Sequence, residues 1–119
     1  MTQSYLTWKG RRKIIDSRKK VPLAEFAKAG RELQEAGWLR EAVEFFKRAE
    51  DWDALRAIRS ESVASGDFFL YNLVSQNLGE PLDPRALKDL AANAEERGLG
   101  AFALSARAIL EPPKEGATP

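Results

Sequence analysis

The side chains in this chain that could do chemistry are carboxylates and cations, because it contains neither histidine nor cysteine. That excludes disulfides, thiolate zinc sites, cysteine nucleophiles and histidine general bases. Among the carboxylates, Glu41 with Glu44 and Glu95 with Glu96 stand close enough in sequence to be weighed as acid–base pairs. One member of such a pair serves as a general acid only where burial raises its pKa. These four lie opposite the apolar stripes and among Arg and Lys, so an ordinary solvated face is the simpler account. No phosphate-cradling loop, metal-ligand cluster or nucleophile arrangement is present. The sequence therefore implies no catalytic residue, no metal and no cofactor.

The cations are unevenly placed. Residues 1–22 carry Lys9, Arg11, Arg12, Lys13, Arg18, Lys19 and Lys20 against Asp16 alone, a charge of +6; the whole chain totals +1, so the remainder sums to −5. A basic arm thus precedes an acidic body. The runs KGRRK and SRKK can neutralise phosphates and release counterions, which would make binding fall steeply with salt. Against this, the arm's one interleaved aromatic is Trp8, and the acidic body offers the arm a surface within the same molecule. A helix-turn-helix reading with residues 38–50 as recognition helix fails on charge, because Arg40, Lys47 and Arg48 are balanced by Glu41, Glu44 and Glu50.

Six helices must carry these groups. Leu23, Phe26, Ala27, Gly30 and Leu33 recur at three- and four-residue intervals, with Pro22 as the first helical residue. After a turn at Gly37, Leu39, Ala42, Val43, Phe46 and Ala49 form a second stripe. The small residues Ala27, Gly30 and Ala42 let two helix axes approach closely, as a helical hairpin requires. Asp51 caps a third helix, whose face is Trp52, Leu55, Ile58 and Val63 and which ends at Ser65-Gly66. Asp67 caps a fourth, apolar nearly all round (Phe68, Phe69, Leu70, Tyr71, Leu73, Val74, Leu78), which calls for neighbours on several sides. Asp83-Pro84 restarts the chain into a fifth helix lined by Leu87, Leu90, Ala91 and Ala94. Gly98–Gly100 then leads to a sixth with Phe102, Leu104, Ile109 and Leu110.

Residues 1–21 show no sustained period and read as the basic arm, residues 22–110 as the helical domain. The end, EPPKEGATP within residues 111–119, reads as a disordered tail. No apolar run nears the ~18 residues of a membrane span and no secretory block opens the chain, so the expectation is a cytoplasmic protein without membrane contact.

Over residues 23–49, LAEFAKAGRELQEAGWLREAVEFFKRA, the chain resembles the tetratricopeptide repeat (TPR) family. Phe26, Ala29-Gly30, Leu33, Gly37, Ala42, Phe46 and Ala49 fall in the family's register. The resemblance implies an all-α fold of about six antiparallel helices stacked as three helical hairpins, a TPR-like α-solenoid. Gly37, Gly66 and Gly98 would each sit inside one hairpin, 29 and 32 residues apart, a little short of the family repeat of about 34.

It implies further a non-catalytic protein–protein interaction module or scaffold subunit, holding a peptide or helix in a groove made by helices 1, 3 and 5. The family's groove positions carry over to Arg31, Gln34 and Glu35, to Asp53, Arg56 and Ser60, and to Arg85, Lys88, Glu95 and Glu96. Of these, Arg31, Arg56 and Lys88 suit a carboxylate or acidic segment. A nucleic-acid-binding accessory protein using the basic arm is the alternative, and self-association through the apolar flanks of helix 4 or helix 6 a third expectation. Trp38, Trp52 and Phe68 each follow a turn; they read either as exposed anchors or, more simply, as staples of one helix to the next.

Overall fold

A computed structural model of the 119-residue chain describes residues 21–111. The described chain is all-α: α1 (Leu23–Glu35), α2 (Leu39–Arg48), α3 (Trp52–Ser65), α4 (Phe68–Leu78), α5 (Pro84–Glu96) and α6 (Gly100–Leu110), with no strand among the described residues. It divides into two compact units, Met1–Arg56 and Ala57–Pro119, with the boundary inside α3.

In the first unit α1 and α2 pack against each other as an antiparallel hairpin. Pro22 stands just before α1 in an extended conformation (ψ 141°) rather than as its first residue, and its carbonyl accepts the N–H of Glu25 at 3.0 Å. The difference is one residue, because an extended ψ places a residue on the cap while its C=O already serves the helix. At the middle of the hairpin, a Cβ added to Gly30 would come within 2.8 Å of the Phe46 ring. Glycine is therefore what lets that ring approach the α1 backbone so closely. Phe45, outside the expected stripe of α2, is buried too, its ring 6.3 Å from that of Phe26. The buried part of α1 is Ala29, Gly30 and Leu33, whereas Leu23 is half exposed.

Five successive helices end in one geometry. The N–H two residues past each helix's last turn reaches back to a carbonyl five residues earlier: Trp38 to Leu33, Asp51 to Phe46, Asp67 to Ser62, Glu80 to Ser75 and Leu99 to Ala94. This Schellman closure needs a left-handed residue just before the donor. Glycine supplies it at 37, 66, 79 and 98, but at the α2 end the residue is Glu50, with φ 56°.

The second unit is built differently. Its buried cluster is Tyr71, Leu87, Leu90, Ala91 and Ala106, with Val63, Phe68, Leu82, Ala86 and Leu110 packed partly against it. All four residues expected to line α5 are buried. Asp67 and Asp83 cap α4 and α5, accepting the N–H groups of Leu70 (3.0 Å) and Arg85 (3.1 Å). Gly66 fits under the α5 backbone so tightly that a Cβ there would lie 2.5 Å from the nitrogen of Ala94.

In α6 the expected residues divide: Phe102 and Leu110 are half-buried, Leu110 against the core, but the most buried positions are others. Ala103 and Ala106 are buried, while Leu104 is 69% and Ile109 45% exposed. Small side chains at the contact let α6 settle close to its neighbours, and the large ones are left on the outer side. α4 is likewise covered on one face only: Leu70, Tyr71, Val74 and Ser75 are buried, but Phe69 is half exposed.

Candidate functional site

Each expected groove residue is best described within its own unit. In the first, Arg31 and Glu35 are exposed on α1, one turn apart, and Gln34 between them is half-buried. Asp53 and Arg56 are exposed on the first turns of α3 and face each other at 3.7 Å, an i,i+3 ion pair. Pairs of this kind on an open surface contribute little to stability. Their charges therefore remain accessible to solvent, and to a ligand.

In the second unit, Arg85 and Lys88 lie exposed one turn apart on α5, as does Ser60 on α3. Arg31, Arg85 and Lys88 take no ion-pair partner among the described residues. Glu95 is different. Its carboxylate pairs with Arg107 across the α5–α6 hairpin, and the hydrogen bond and charge of that guanidinium hold the carboxyl below its ordinary pKa. Arg107 is correspondingly pushed up, chiefly by the same hydrogen bond. A carboxyl held ionised in this way is the opposite of a general acid. Glu44 is also engaged, with Arg48 at 2.9 Å along α2.

The aromatics after the turns divide. Phe68 packs against the second unit's core as a staple would, whereas Trp38 and Trp52 remain 40% and 41% exposed. The basic arm, Lys9 to Lys20, lies outside the described residues, as does the tail beyond Glu111.

Sequence reasoning missed the most connected polar side chain of the second unit, Arg59. From α3 its Nε donates to Ser75 Oγ at 2.8 Å on α4. One Nη reaches Glu80 at 3.2 Å; the other reaches the Tyr71 hydroxyl at 3.2 Å and the Pro81 carbonyl at 2.6 Å. Its guanidinium carbon sits 5.0 Å from the centre of the Tyr71 ring. The same hydroxyl accepts the N–H of Asp83 at 2.9 Å. Arg59 thus ties α3, α4 and the loop leading to α5 into one polar node. A planar guanidinium suits this task because its donors point along several fixed directions at once. The node is structural: every donor direction it uses ends on the protein itself.

Comparison of the chain with protein-family models, with curated proteins and with solved structures finds no significant match. No helix among the described residues is long and apolar enough to cross a membrane.

Proposed function

We propose that this chain is a non-catalytic, TPR-like interaction module of the cytoplasm that receives a peptide or helix from a partner protein on exposed polar helix flanks. The observation that carries the reading is that Arg31 in the first unit, and Arg85 and Lys88 in the second, are exposed and take no ion-pair partner among the described residues. The interlock of Gly30 with Phe46 supports it, because that contact joins two positions of the repeat pattern. Cations spaced along helix flanks suit a ligand rich in carboxylates, including a free C-terminus.

The experiment is selection of binders from a random peptide library with the full chain, followed by titration of the selected peptides against single variants. Arg31→Glu, Arg56→Glu and Lys88→Glu should each weaken binding by about 10-fold, the effect of losing one charge-assisted hydrogen bond, with helicity and melting temperature unchanged. Selected peptides without acidic residues, or affinities indifferent to all three changes, would defeat this reading.

A further inference from the structure

The antiparallel hairpin puts the start of α1 and the end of α2 at one end of the first unit, and α3 begins there as well. Two large apolar side chains are left open at this end, Leu23 at 49% and Trp52 at 41% exposure. Glu50 occupies the turn between α2 and α3, and Asp53 follows Trp52 directly. The chain also enters the body at this end, through Val21 and Pro22. We propose that arm residues 9–20 dock on this corner, with Ile14 and Ile15 against Leu23 and Trp52 and the arm's cations facing Glu50 and Asp53.

Three arguments select this occupant. The first is reach. A segment of about ten residues spans up to ~35 Å when extended, while the hairpin is only ~20 Å long. The whole corner is therefore accessible to a tethered arm, at a closure cost that rises only with the logarithm of its length.

The second is charge. The arm brings seven cations against one carboxylate. With Arg48 paired to Glu44 and Arg56 to Asp53, the corner is left with Glu50 and Asp51 against Lys47, a net negative charge.

The third is Glu50 itself. Four of the five equivalent helix ends have glycine at the left-handed position, and this one keeps a side chain in a conformation that disfavours it. Among the described residues that carboxylate has neither a hydrogen bond nor an ion pair. Strain with no local return marks a position held for another contact. The arm supplies that contact.

This inference does not rest on the groove reading, and its test leaves Arg31, Arg56 and Lys88 untouched. The chain has no cysteine, so Gly10→Cys can carry a single nitroxide label, read through the broadening of amide signals in the full chain. The expected result is at least about a two-fold loss of intensity at residues 50–53, relieved at ~1 M salt, where the Debye length shrinks to ~3 Å. The turn at residues 36–38, at the far end of the hairpin, should stay sharp. Glu50→Gly in the labelled chain should remove at least about half of the effect while raising the melting temperature, so that a folding defect cannot account for the loss. Equal broadening at both ends of the hairpin, insensitivity to salt and to Glu50→Gly, or broadening that arises only between molecules in a mixed sample would each overturn the proposal.

Discussion

The first hairpin and the second unit solve the same problem, holding helices together, by different means. In the first, a phenyl ring lies on a glycine and a second ring tilts against a third, so that Gly30, Phe46, Phe45 and Phe26 form an apolar interlock. In the second, a cluster around Tyr71, Leu87 and Leu90 is joined by close approaches through small residues, Gly66 under Ala94 and the buried Ala103 and Ala106. Fixed direction there comes from Arg59 and its acceptors. An apolar interlock tolerates no gap but has no angular requirement, whereas a polar node fixes angles and penalises any acceptor left without a donor.

Removing the ring should give the largest effect. Phe46→Ala is expected to cost about 3–5 kcal/mol in urea unfolding. Native-state hydrogen exchange should show the loss concentrated in α1 and α2; protection lost equally from α5 and α6 would break the comparison.

Next comes Gly66→Ala, which combines a left-handed φ of 72° with a backbone clash at Ala94. It should cost about 3 kcal/mol, the sum of the two penalties. Gly37→Ala makes a sharp control. Its φ is 85° but nothing lies within 4 Å of the added carbon, so only the conformational part of about 1 kcal/mol should remain. Equal costs at the two sites would mean that the clash is relieved by a shift of α5.

Arg59→Met keeps the aliphatic stem and removes every donor. The expected cost is about 2 kcal/mol, set by the Ser75 hydroxyl and Pro81 carbonyl that lose this donor and by the lost bond to the Tyr71 hydroxyl, which keeps only the Asp83 N–H. Exchange should rise first at the amide of Asp83, whose own bond ends on the Tyr71 hydroxyl.

The smallest effect belongs to the surface pair of Glu95 and Arg107. The hydrogen bond and charge of Arg107 hold the folded carboxyl of Glu95 below the ordinary carboxylate range. The pair's contribution is therefore fully present above that range and disappears as pH falls through the folded pKa. Glu95→Gln should leave stability near neutrality almost unchanged and make the acid limb of the stability profile shallower. An acid limb identical to wild type would show that solvent screens the pair completely.

Much of the local structure was legible from the residues. The caps at Asp51, Asp67 and Asp83, the turn glycines 37, 66 and 98 and the full lining of α5 are all legible from residue type and spacing. So is the pairing of α1 with α2, because a glycine in one helix and a large aromatic in the other require a close approach. Of the candidate site, the exposure of Arg31, Arg56, Arg85 and Lys88 was legible for the same reason: each lies off an apolar stripe. What failed was the assignment of buried faces where a helix is apolar on more than one side. Of the apolar residues read on α6, Leu104 and Ile109 are exposed, while Ala103 and Ala106, which no pattern singles out, are buried.

The sequence by itself determined where each helix begins and ends and that the fold is all-α, because caps, turns and periodicity act within four or five residues of chain. Only the tertiary structure decided which face of α4 and α6 turns inward, since that depends on the side from which neighbours approach. It also decided the role of Arg59, whose acceptors stand 12, 16, 21 and 22 residues away in sequence. A side chain's hydrogen bonds over such separations depend on where the backbone has already been carried, and no local pattern records that.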